Sequence, residues 1–149
     1  MEDGHIAKHL SRKAEDYLEA ILNVTLEKGY ARTKDVAHEL GLSPPSSVVE
    51  MFRKLDAMHL VCYRRYEGGV VFLPEGRQIA ETIKYRHDTL KKFLLLIAVP
   101  EDIADADACF MEHELHPETV RRIHHFIDCM EENPSFRQQI QHRQDLSVR

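Results

Sequence analysis

The sequence predicts a mainly α protein in which one short β-hairpin separates two helical blocks. Three observations predict it. Apolar residues recur at helical spacing over most of the chain. Gly and Pro fall where such runs should stop or start. One stretch, Val61 to Leu73, breaks the period and reads as two β-prone runs around a Glu67-Gly68-Gly69 turn. The 149 residues fit one or two small domains, and 43% hydrophobic with 30% charged residues is ordinary for a globular protein.

The elements follow in order. Residues 1–10 are polar and read as disordered. Ser11 to Lys28 reads as a helix with Ala14, Tyr17, Leu18, Ile21, Leu22 and Thr25 on one face and Gly29 as its stop. Thr33 to Leu40 is a second, short helix, with Thr33 as its cap, Val36, Ala37 and Leu40 inward, and Gly41 at its end. Ser43-Pro44 opens a third helix with a capping oxygen followed by Pro. Its inward stripe is Val48, Met51, Phe52 and Leu55, and its outward track is Ser46, Ser47, Glu50, Arg53 and Lys54. After the hairpin, Gly76 to Val99 reads as one long helix broken by Pro100. Helices over about Asp102–Leu115 and Pro117–Glu132 come next, the last with Val120, Ile123, Ile127 and Met130 at helical spacing. From Pro134 the chain reads as a polar tail. The domain expectation is residues 11–76, then 77–135, with a tail over 136–149.

Charge and cysteine content exclude several classes. Twenty Lys and Arg against 25 Asp and Glu give a formal charge of −5, which excludes a generally basic nucleic-acid coat. From Lys28 to Arg77, however, eight basic residues face six acidic ones, so this window carries +2 and the rest −7. Three cysteines without a CxxC pair argue against a disulfide framework and fit a reducing compartment. The longest apolar run, Phe93 to Val99, is too short to cross a bilayer. The polar Met1–His9 stretch is neither secretory signal nor transit peptide, so a cytoplasmic setting is expected.

Two candidate sites emerge. Short helices joined through Gly41 and followed by a hairpin have the layout of a winged helix-turn-helix. Ser46 and Ser47 are small enough to let a helix approach a groove. Arg53, Lys54, Arg64 and Arg65 would contact phosphate, and Glu50 could accept from a cytosine amine. The competing reading is a three-helix packing unit with an idle hairpin. The second candidate is Cys109, Glu112 and His113, at i, i+3 and i+4 on one helix face. A thiolate, a carboxylate and an imidazole together suit a first-row transition ion rather than Ca²⁺ or Mg²⁺. Asp16 and Glu19, one turn apart on the first helix, could complete a shell, and His87 lies on the long helix. Singly, each of these residues could instead be a solvated or core side chain. His124-His125 reads as helix surface.

Taken together, the segments Glu15-Asp16-Tyr17-Leu18-Glu19, Glu27 to Arg32, Pro45-Ser46-Ser47-Val48, Lys54-Leu55, Tyr85-Arg86-His87 and Cys109 to His113 resemble the diphtheria-toxin repressor and manganese-transport regulator family. The resemblance covers about residues 11–135. It implies a winged helix followed by a helical metal-binding and dimerisation domain, without the SH3-like domain of longer members. It implies metal ligands at Asp16, Glu19, His87, Cys109, Glu112 and His113. It adds Arg32, Thr33, Ser43 and Pro45 to the DNA-binding set. The manganese branch has a carboxylate where Cys109 stands, and the iron branch a methionine where Asp16 stands, so the ligand set is mixed. The iron branch also has an ancillary site with a glutamate at the position of Lys91 and a histidine at that of Asp105; a charged lysine cannot ligate.

The expectation is a repressor of metal-uptake genes that senses Fe²⁺ or Mn²⁺, for which Co²⁺, Ni²⁺ or Zn²⁺ can substitute. One ion would tie the first helix to the helix bearing Cys109 and so set the spacing of two recognition helices. Expected partners are double-stranded operator DNA and a second copy of the chain, with no membrane and no small-molecule substrate. The alternatives are a metal-independent winged-helix regulator answering a small ligand, and a small metalloenzyme. Nothing resembles HExxH, and a DNA module leaves little room for a cleft, so no enzyme is expected.

Overall fold

The structure is a computed structural model and describes residues 10–42 and 46–147. Ser43, Pro44 and Pro45, and with them the expected start of the third helix, lie outside the described residues, as do residues 1–9. The elements run α1 (Arg12–Lys28), β1 (Ala31–Arg32), α2 (Thr33–Glu39), α3 (Ser46–Ala57), β2 (Val61–Arg64), β3 (Gly69–Phe72), α4 (Pro74–Leu96), α5 (Glu101–Met111), α6 (Pro117–Glu132) and α7 (Pro134–Ser147). The chain divides into two compact units between Ile83 and Lys84, inside α4.

In the first unit, α1 begins where Ala14 N–H donates to Ser11 Oγ (3.1 Å), satisfying one orphan donor of the first turn. It ends at Gly29, whose φ of 80° is a left-handed cap that a side chain would strain. Tyr17, Leu18, Ile21 and Leu22 are fully buried, and Val36, Val48, Phe52 and Leu55 meet them in one hydrocarbon core. The expected inward stripe of α3 is thus buried throughout. Leu10, at the edge of the stretch expected to be disordered, packs against this core.

The sheet has strand order β1-β3-β2, all antiparallel. The hairpin pairs Val61 with Phe72 and Arg64 with Gly69. The third strand, β1, was not expected; it pairs Ala31 with Val70. Thr33 is not the cap of α2: Arg32 occupies the cap position and makes no side-chain cap bond. Thr33 instead donates from both its hydroxyl (2.8 Å) and its backbone N–H (2.9 Å) to the Gly68 carbonyl, fastening the start of α2 to the hairpin turn.

The described residues of the second unit form helices and no strand. Leu90, Leu94, Ala104 and Ala108 form its buried cluster, with Phe93, Ile97, Met111 and Ile123 packed against it. On α6, Val120, Ile127 and Met130 are buried at the expected spacing. Pro117 stands at the first position of α6 and His116 at its cap. From Pro134 the expected polar tail is a helix, α7, with no buried residue. His124 is not plain surface: it is half-buried, and its ring lies 5.2 Å from that of Tyr85.

Candidate metal centre and nucleic-acid interface

The metal-ligand candidates of the second unit converge. His87 is buried on α4; Cys109 lies on α5, Glu112 caps it, and His113 follows. His87 Nδ1 is 2.7 Å from Glu112 Oε2 and 3.6 Å from Cys109 Sγ. One ligand atom from each of His87, Cys109 and Glu112 lies within 4.8 Å of the others, the spacing of a shared cation. The spacing on α5 explains two of the three: i and i+3 fall on one face, and α4 brings the imidazole to it.

Glu112 supplies the test of fit. Its residue exposure is 1%, and its Oε1 has no hydrogen-bond partner among the described residues, although His113 Nε2 approaches to 3.3 Å. A buried carboxylate oxygen without a hydrogen bond is costly unless a positive charge meets it. One nitrogen, one sulfur and one oxygen around that carboxylate match a first-row transition ion. For Nδ1 to ligate, it must give up the proton it would otherwise share with Glu112.

Beyond the ligands, His87 Nε2 lies 3.1 Å from Asp105 Oδ1, and Lys91 Nζ lies 3.2 Å from the same oxygen. Burial pushes the Asp105 carboxyl up, but the hydrogen bonds from Lys91 and His87 outweigh it and hold it below the ordinary carboxylate value. Asp16 and Glu19 lie on α1 in the first unit, both half-buried and one turn apart.

The DNA-binding candidates fall on two elements of the first unit. Glu50, Arg53 and Lys54 are exposed along α3, and Ser47 is half-buried near its start. Ser46 is the first residue of α3, while Ser43 and Pro45 lie outside the described residues. Arg64 and Arg65 are exposed at the hairpin tip, where Arg64 pairs with Glu67 at 3.5 Å. Arg32 is exposed with its guanidinium 5.7 Å from the Tyr30 ring centroid, and Thr33 spends its hydroxyl on Gly68. Tyr66 stands fully exposed in the turn beside Arg64 and Arg65.

Comparison with known proteins accounts for both units. The family described as Iron dependent repressor, N-terminal DNA binding domain, matches residues 9–69. Its companion, the metal binding and dimerisation domain, matches residues 73–141. The HTH-type transcriptional regulator MntR of Geobacillus kaustophilus is 40% identical over 119 residues, 80% of this chain and 83% of that protein. Among solved structures, IdeR of T. acidophilum superposes with a TM-score of 0.67 at 26% identity, covering 76% of this chain and 53% of that one. A manganese-dependent transcriptional repressor solved with manganese gives 0.63 at 30% identity, with 74% and 50% covered. No helix among the described residues is long and apolar enough to cross a membrane. A DNA-binding unit joined to a metal-binding and dimerisation unit makes Fe²⁺ or Mn²⁺ the cofactor, and operator DNA and a second copy the partners. The chain belongs to the iron-dependent repressor family, the diphtheria-toxin-repressor group of manganese- and iron-sensing transcriptional repressors.

Proposed function

We propose that this repressor senses cytoplasmic Fe²⁺, with Mn²⁺ as the second candidate, and controls genes for uptake of that metal. The observation that carries the reading is the convergence of His87 Nδ1, Cys109 Sγ and the buried Glu112 carboxylate. The thiolate favours Fe²⁺ over Mn²⁺ by softness. The likeness to a manganese-dependent repressor keeps Mn²⁺ as the alternative. His87, Cys109, Glu112 and His113 would hold the ion from the second unit, and Asp16 and Glu19 would contribute from α1. When bound, the ion supplies positive charge that offsets the repulsion among these carboxylates and the thiolate.

What the chain itself does follows from where those ligands are carried. Asp16 and Glu19 belong to the DNA-binding unit; Cys109, Glu112 and His113 belong to the dimerisation unit. An ion shared by these residues would narrow the arrangements of the two units to those that suit an operator. Palindromic half-sites demand recognition helices about one helical turn of DNA apart, or a multiple of it. The α3 track enters the major groove, where Ser46 and Ser47 let the helix come close and Glu50 meets a base edge, with Ser43 and Pro45 preceding it in the sequence as further contacts. Arg32, Arg53, Lys54, Arg64 and Arg65 contact the phosphate backbone, and Thr33 acts indirectly, by fastening the start of α2 to the hairpin turn. These roles are binding roles, and the reading includes no catalysis.

Operator gel shifts in anaerobic titrations with Fe²⁺ and Mn²⁺ test it. Glu112→Ala and His113→Ala should each abolish metal-stimulated binding while leaving a folded dimer by circular dichroism and sedimentation. Metal-stimulated shifts equal to the parent's in both variants would remove the site assignment.

A further inference from the structure

The geometry points to Lys91 and Asp105 as positioning residues that hold the His87 proton on Nε2 and so present Nδ1 to the metal, an inference that rests on the ligand set proposed above. His87 has one ring nitrogen on each side of the problem. Nδ1 faces Glu112 and Cys109, while Nε2 faces Asp105 at 3.1 Å. An imidazole can ligate through one nitrogen only if its remaining proton sits on the other. Glu112 Oε2, at 2.7 Å, competes for a proton on Nδ1 until a cation engages that carboxylate; Asp105, which accepts and cannot donate, then takes the proton on Nε2 and leaves the Nδ1 lone pair toward the ion.

Asp105 needs holding in turn. Its side chain is 53% exposed, so by itself it could rotate into water. Lys91 stops that: its ammonium lies 3.2 Å from Asp105 Oδ1, with Glu101 at 3.8 Å on the far side. Helical spacing builds the arrangement. His87 and Lys91 are one turn apart on α4, and Glu101, Asp105 and Cys109 are successive turns of α5. The lysine thus supplies a covalently attached cation among carboxylates beside the outer face of His87.

The same contacts could merely pin α4 to α5, and a charge swap separates the two roles. Lys91→Asp combined with Asp105→Lys restores an ion pair but turns an ammonium toward Nε2. That nitrogen must then accept, the proton moves to Nδ1, and the metal loses its ligand. The experiment is titration of the full chain with Co²⁺, reading the thiolate-to-cobalt absorption, together with nitrogen NMR of the histidine rings in the Zn²⁺ form. The parent should show His87 metallated at Nδ1 and protonated at Nε2. Asp105→Ala should weaken Co²⁺ binding roughly 10- to 100-fold. Lys91→Met should weaken it less, and Lys91→Arg should recover it. The swap should melt like the parent yet bind Co²⁺ no better than Asp105→Ala.

Parent-like affinity in Asp105→Ala, or recovery of affinity in the swap, would overturn the inference. The same holds if Zn²⁺ is found on Nε2 in the parent. Cys109→Ser in the same series isolates the underlying reading: if it leaves the parent's cobalt absorption unchanged, the ligand set is wrong and not merely its support.

Discussion

The two units close their interiors in different ways. In the first, the fully buried large side chains are hydrocarbon or aromatic: Tyr17, Phe52, Leu18, Ile21, Leu22 and Leu55. In the second, Leu90, Ile127 and Met130 are joined at the same depth by a carboxylate, Glu112. Its buried apolar cluster is also smaller among the described residues, and two of its four members are alanines. Burial of apolar surface stabilises by roughly 25 cal/mol per Å² without any ligand, whereas a buried carboxylate is a cost until a cation meets it. The first unit leaves the Tyr17 and Tyr30 phenol oxygens buried without a hydrogen bond among the described residues, but these are neutral groups whose cost no cation is needed to relieve. The second is left with a cost that an ion can relieve, which is what a sensing domain requires.

The largest expected effect separates the units by adding metal. Free ion about a thousandfold above its Kd should stabilise the bound form by about 4 kcal/mol. Hydrogen exchange should show the gain at α5, at the His87 turn of α4 and around Asp16 and Glu19. The α3 core around Phe52 and the β2–β3 hairpin should change little. Equal slowing everywhere would mean the chain opens as one cooperative unit, and the contrast between the two interiors would have no energetic meaning.

The next effect strikes only the first unit. A Cβ on Gly76 would fall 1.8 Å from the Leu60 carbonyl oxygen and 2.6 Å from its carbon. That carbonyl already accepts from Leu73 N–H at 3.0 Å, so the backbone is fixed on both sides of the contact. Gly76→Ala should then cost about 3 kcal/mol, the upper end of what overpacking does, because backbone and not a flexible side chain is in the way. Chemical denaturation checks it. The loss should appear in the unit holding α1 to α3, with Co²⁺ affinity within about threefold of the parent at temperatures where both units are folded.

How much of this contrast could be read from the chain depends on the range of the forces involved. The caps of α1 at Ser11 and Gly29 and the inward stripe of α3 are local, and periodicity displays them. The grouping of Cys109 with Glu112 is local too, since both sit on one helical face. What joins different elements was hidden. Strand β1 has two residues and exists only because β3 offers an edge, and Thr33 looks like a cap until the Gly68 carbonyl arrives from 35 positions away. Asp105 seemed only a departure from a family pattern; its contacts with His87 and Lys91 depend on α4 lying against α5. The helix α7 buries nothing, so no apolar stripe announced it.

The smallest effect concerns which metal the second unit prefers. Cys109 is half-buried with its sulfur 3.6 Å from His87 Nδ1, placed to contribute a soft thiolate to the set. Cys109→Glu would exchange it for a hard carboxylate on the same helix face. Divalent affinities would still rise from Mn²⁺ toward Co²⁺, because that order belongs to the ions. What should change is the gap: the ratio of the Mn²⁺ to the Co²⁺ dissociation constant should fall about tenfold, equivalent to roughly 1.4 kcal/mol. Competition titrations with both ions measure the ratio directly, and the thiolate-to-cobalt absorption should vanish in the same samples. Loss of that absorption with an unchanged ratio would mean that the sulfur ligates without selecting. The preference of the second unit would then lie in its carboxylates, Glu112 first among them.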